Sequence, residues 1–118
     1  MQRDPRAYLW DVRQAGEAIG RFVAGLDAAS YANNALVRAA VERQFEIIGE
    51  ALNQLLKIAP DAAQRIPHLR DIIAFRNVLI HAYAAIDSAR VWRITQGQLP
   101  ELCETVAALP AELGPPER

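Results

Sequence analysis

Apolar side chains recur at alternating steps of three and four along most of this chain, and that spacing leaves the α-helix as the only regular structure that can bury them on one face. Leu9, Val12, Gly16, Ile19, Val23 and Leu26 form one stripe, and Val37, Val41, Phe45, Ile48, Leu52 and Leu55 form a second. A third runs through Leu69, Ile72, Ile73, Leu79 and Ile80. Val91 and Ile94 begin a fourth, which Gly97 and Pro100 should kink or divide before Leu102, Val106 and Leu109. Strand-like alternation, internal repeats and a glycine-rich phosphate loop are all missing. The pattern predicts an all-α fold, an antiparallel up-and-down bundle of four to five helices.

Capping residues punctuate the stripes. Asp4 before Pro5 reads as an N-cap with a first-turn proline, and Gly25 falls near the end of the first helix. Ser30, Asn33 and Asn34 offer caps for the second helix, which Pro60 stops; Asp61 is expected to cap one short turn before Pro67. The third helix should begin near His68, and Asp87 and Ser88 cap the fourth. At 118 residues, the chain suits a single domain, assigned to residues 1–109, with a flexible charged and proline-containing tail at 110–118. No apolar run approaches the roughly 20 residues that span a bilayer. Met1 to Arg6 is charged and unlike a signal peptide. One cysteine, Cys103, cannot form an internal disulfide and lies on an apolar stripe, so a reducing, cytoplasmic setting is expected and no membrane contact. With a net charge of −1, any hold on nucleic acid must come from a local basic patch.

Arg76 breaks the third stripe at its middle. A guanidinium there demands a polar cleft, a counter-charge or a second subunit, since burying it unpartnered costs several kcal/mol. At about 100° per residue, Tyr83 lies about 20° from Arg76, whereas His81 lies about 140° away and about 40° from Asn77. Arg76 and His81 can share a cleft if the helix ends or distorts near His81, or if a two-fold dimer sets this helix against its twin. A fixed cation, an amide, an imidazole and a phenol would suit phosphodiester cleavage. RNA carries its own nucleophile, the 2′-hydroxyl, so a metal-free nuclease needs only proton transfer and charge stabilisation. An imidazole with an ordinary pKa of about 6.5 can take or give the proton. Arginine offers paired planar donors to the phosphate.

The string Arg76-Asn77-Val78-Leu79-Ile80-His81-Ala82-Tyr83 resembles the signature of HepT-like toxins in the HEPN superfamily. Tyr8-Leu9-Trp10-Asp11, Glu46-Ile47-Ile48-Gly49-Glu50-Ala51 and Asp71-Ile72-Ile73-Ala74-Phe75 are similar to the same family, so the resemblance spans roughly residues 4 to 109. It implies a HEPN-like homodimer whose composite cleft cleaves RNA without metal or cofactor, with Arg76 and His81 catalytic and Asn77 supporting them. It also implies a cognate MNT-type nucleotidyltransferase antitoxin that attaches AMP to Tyr83. Phosphates placed beside Arg76 would occupy its donors.

Plainer readings stand beside these. Arg76 could form a structural ion pair with Glu46 or Glu50, His81 could satisfy helix-end carbonyls, and Tyr83 could be a core or interface aromatic. The chain could be a non-enzymatic nucleotide- or partner-binding module, or a helical dimerisation domain. Glu46, Glu50, His68 and His81 lack the spacing of a specific metal site. Trp10, Phe22, Phe45, Phe75 and Trp92 are expected to pack. Arg38, Arg43, Arg70, Arg90 and Arg93 read as scattered solvated charges, with an RNA-facing surface as the alternative.

Overall fold

The computed structural model describes residues 3–81 and 86–113 of the chain. Helix α1 covers Pro5–Val23, with the Asp4 carboxylate accepting from the Arg6 backbone N–H. The chain then turns through Gly25, whose φ of 78° suits a residue without Cβ. A one-turn helix that the periodicity did not reveal, α2 (Ala28–Ala32), follows. Asp27 and Ser30 cap it reciprocally, each side-chain oxygen accepting the other's backbone N–H at 2.8 Å. Ser30 is thereby used, and Asn34 caps α3 (Ala35–Ile58) by accepting from the Val37 N–H at 3.0 Å.

Pro60 stops α3 as expected, because the residue before a proline is kept from the α region; Ala59 sits at φ −143°. Asp61 is not the cap of the next turn, α4 (Pro60–Ala63): Pro60 takes its first position, so Ala59 is the N-cap and Asp61 lies inside. Helix α5 spans Leu69–His81. It follows His68, which holds a positive φ of 63° while its ring meets the Glu101 carboxylate at 2.8 Å. Asp87 caps α6 (Ser88–Gln96), and Gly97 separates α6 from α7 (Gln98–Leu113). Pro100 falls in the first turn of α7, where its missing N–H has no partner to lose. Helix α7 passes through Pro110, so the segment expected as a tail begins inside it, and 114–118 lie outside the described residues. No strand occurs among the described residues.

The long helices form an all-α antiparallel bundle. Helix α3 lies between α1 and α5, α7 packs on the other flank of α1, and α6 bridges α7 and α2. The buried faces merge into one apolar cluster from Leu9 to Leu109. Phe45 and Phe75 meet edge to face at 5.5 Å inside it. Tyr31, which no stripe contained, is fully buried because α2 turns it inward against Trp92. Trp10 departs from the packing expectation. It projects from the side of α1 opposite Leu9, Val12 and Ile19 and is 60% exposed. Among the described residues no helix is long and apolar enough to cross a membrane.

Burial raises the pKa of the Glu42 carboxyl, with Arg38 opposing, and burial raises the nearby Tyr31 phenol to about 12. Because the folded value for Glu42 exceeds the unfolded one, its contribution is fully present below the ordinary carboxylate range and is lost as pH rises through the folded value. Glu42→Gln should therefore gain stability relative to wild type between about pH 4 and about pH 7. Denaturant titrations at both pH values check this, and a constant difference between the proteins would contradict it.

Candidate active site

Helices α3 and α5 cross at Gly49, where the backbone of α3 comes so close that a Cβ on Gly49 would lie 2.4 Å from the Cβ of Arg76. Real Cβ atoms do not approach so closely, so this contact requires glycine. Arg76 is not centred on the buried face of α5. That face is Leu69, Ile72, Phe75 and Leu79, and Ile73, Arg76 and Ile80 form its half-buried edge. The rotation lets the aliphatic stem of Arg76 pack over Gly49 while the guanidinium reaches a cleft.

The cleft has a volume of about 280 Å³ and is walled by the start of α1, the middle of α3 and Arg76 with Ile80. The Arg76 Nη2 meets the Glu50 Oε2 at 2.8 Å. Gln54 donates to the other oxygen of Glu50 at 3.0 Å. Two further pairs line the same cleft: Arg3 with Asp11 at 2.8 Å and Arg43 with Glu46 at 3.5 Å. Arg3 also lies over the Tyr8 ring, 4.7 Å from its centroid. Each arginine thus faces one carboxylate, and the cleft is charge-balanced. The side chains of Arg76 and Glu50 are 26% and 46% exposed. At such exposure an ion pair contributes about 0–1 kcal/mol, so an incoming phosphate can compete for Arg76 at low cost.

Asn77 adjoins this pair, its Oδ1 accepting a long hydrogen bond of 3.4 Å from the Arg76 Nη1, and is itself exposed. His81, the last residue of α5, is exposed and is not among the residues lining the cleft. Helical geometry is maintained from Arg76 to His81, so the two side chains leave the axis about 140° apart. Tyr83 lies outside the described residues. The sequence motif did not single out Arg3, Tyr8, Asp11 or Gly49 as site residues. The signal for Gly49 was a glycine inside a strongly periodic helix, which usually marks a close approach. Tyr8 and Asp11 stood in a string similar to the family, which gave them no role, and Arg3 stood outside it; only the α1–α3 pairing brings them to the cleft.

Comparison with known proteins places this arrangement in context. A family model described as Ribonuclease HepT-like matches residues 12–109. A Methanocaldococcus jannaschii protein named "Putative RNase MJ1380" is 32% identical over 107 residues, covering 89% of this chain and 95% of its own. A second protein of that organism, "Putative RNase MJ0125", is 32% identical, covering 86% of each chain. The "Probable ribonuclease HepT" of Thermococcus cleftensis is 30% identical, covering 86% of this chain and 92% of its own. No solved structure matches the chain.

Two glycine substitutions distinguish the crossing from ordinary helix surface. Gly20 has nothing within 4 Å of where a Cβ would sit, so Gly20→Ala should stabilise the fold by about 0.5–1 kcal/mol. Gly49→Ala gains the same propensity but forces α3 and α5 apart at an overpacking cost of about 1–3 kcal/mol. Thermal and urea unfolding should give opposite signs. A stabilised Gly49→Ala would contradict the close approach.

Proposed function

The chain belongs to the HepT-like ribonuclease family, and from that premise we propose that it is the endoribonuclease toxin of a toxin–antitoxin pair, acting in the cytoplasm as a homodimer. The observation that carries the reading is Arg76 in an open cleft, paired with a half-exposed Glu50 and bonded weakly to Asn77. A phosphodiester of RNA displaces Glu50, and the guanidinium takes two of its oxygens through parallel N–H donors. His81 acts as the proton carrier. One imidazole removes the proton from the 2′-hydroxyl; the 2′-oxygen then bonds to phosphorus as the bond to the 5′-oxygen breaks. A second, protonated imidazole supplies the leaving oxygen with its proton, yielding a 2′,3′-cyclic phosphate and a 5′-hydroxyl. No step requires a metal.

The divergence of Arg76 and His81 on one helix supports the dimeric form of this reading. Two copies of α5 related by a two-fold axis can present Arg76 of one protomer beside His81 of the other. Asn77 orients the group between them. In this scheme a nucleotidyltransferase antitoxin silences the toxin by joining AMP to Tyr83: the phenolic oxygen attacks the α-phosphate of ATP and pyrophosphate leaves. The added phosphate competes for Arg76.

Arg76→Ala should lower RNA cleavage by about 10²–10³-fold. His81→Ala should lower it by about 10²–10⁴-fold. Both are measured with the purified proteins in chelator, with fragment ends identified. Dimers of one wild-type and one His81→Ala chain keep a single imidazole and should cleave as slowly as His81→Ala itself if the cleft draws one imidazole from each chain. Variants that cut like wild type would remove these residues from the chemistry. Intact RNA with all three proteins, together with retained binding to the nucleotidyltransferase, would make the chain a partner-binding module. Intact-mass measurement after incubation with that enzyme and ATP should show added AMP on wild type and none on Tyr83→Phe; an unmodified wild type would overturn the silencing scheme.

A further inference from the structure

A second groove, of about 430 Å³, runs between α5 and α6, with Asp71 and Ala74 on one wall and Arg90 and Arg93 on the other. We propose that this groove is a subsite for the backbone phosphates of the RNA strand flanking the scissile bond, an inference that rests on the ribonuclease reading. Its position relative to His81 carries the argument. Around the α5 axis His81 lies about 20° from Ala74 and about 80° from Asp71, whereas Arg76 lies about 160° from Ala74. The exposed imidazole therefore shares the groove's face of α5, not the face of the Arg76 cleft. Ala74 and His81 are about 10 Å apart along the axis. At about 3.4 Å per nucleotide in a stacked strand, that is about three nucleotide steps.

The charges suit a polyanion. Arg90 and Arg93 are three residues apart, hence neighbours on one face of α6, and both are exposed. Neither has a carboxylate partner among the described residues. Arg90 stands over Phe75, its guanidinium carbon 5.1 Å from the ring centroid, a cation–π contact that steadies the group without using its hydrogen-bond donors. In the Arg76 cleft, by contrast, every arginine is matched by an acid. The α5–α6 groove has two arginines against the single carboxylate Asp71, so its charge favours phosphates, and paired planar donors fit their oxygens. With a whole-chain charge of −1, a local surplus of this kind is what an RNA strand requires.

The test measures binding of a fluorescent single-stranded RNA dodecamer, made non-cleavable by 2′-deoxy substitution, at 50 and 200 mM salt. Two phosphate contacts change the logarithmic salt slope by about 1.4, at about 0.7 per single-strand contact. Arg90→Gln/Arg93→Gln should therefore lose about sevenfold less affinity than wild type over that interval. Its absolute affinity should be lower, while cleavage of a dinucleotide, too short to reach the groove, stays unchanged. Asp71→Asn should bind the dodecamer more tightly, an effect misfolding does not produce. Arg93→Gln alone, which leaves the Arg90–Phe75 contact intact, should give about half the slope change. Unaltered slope and affinity in the arginine variants, or a wild type that does not bind the dodecamer, overturn the subsite. A changed oligomeric state with unaltered RNA affinity assigns the groove to subunit contact instead. A wild type that binds the dodecamer but leaves both the dinucleotide and an all-ribose dodecamer uncut would defeat the ribonuclease reading and leave the phosphate subsite standing.

Discussion

The approach of α3 to α5 at Gly49 is the contact on which the cleft depends. With any side chain there, the helices would separate, and Arg76 would lose the backbone surface over which its stem lies. Removing one Cβ lets a long charged residue occupy the edge of an apolar helix face with its carbons packed and its guanidinium in water. A local absence of volume on α3 thereby sets a local charge on α5. Glu50, next in the chain, then supplies the counter-charge from the same turn.

Around that contact the electrostatics follow a rule of matching. Three arginines and three carboxylates line the cleft in adjacent pairs, two of the pairs within single elements or their flanks and one across the α3–α5 crossing. Such pairing allows several charges to gather beside a hydrophobic core without a net field that repels folding. Because each pair is partly exposed, none is strong, and the arrangement can open to an anion. The α5–α6 groove is built differently. Its arginines are steadied by an aromatic ring and by their spacing on α6 instead of by acids.

One helix therefore serves two faces. Arg76 turns toward α3 with Asn77 beside it, His81 leaves the axis about 140° from Arg76 on the side of Ala74, and Leu69, Ile72, Phe75 and Leu79 hold the helix to the core. This division is a direct result of the five-residue spacing in a helix that stays regular to its last residue. Within one chain, the guanidinium and the imidazole therefore serve different surfaces.

The helical class, the stripes and most boundaries were legible because periodicity and caps are local: Asp4, Asn34, Pro60, Asp87 and Gly97 act where their neighbours alone place them. The Arg76 anomaly and the Glu50 ion-pair candidate were legible too, since a charge in an apolar stripe must be answered. The one-turn helix α2 and the burial of Tyr31 were not, because so short a segment has no period and Tyr31 is turned inward by its contact with Trp92. Trp10 looked like a core aromatic and stands in solvent, for residue type says nothing of which way a helix is rotated. The sequence by itself determined which segments are helical and which residues could carry chemistry, both properties of the chain within a few turns. Only the tertiary structure decided that Arg3, Tyr8 and Asp11 join Arg76, and that His81 faces elsewhere. Those outcomes depend on the rotation and crossing of whole helices, fixed by the packing of all their side chains at once.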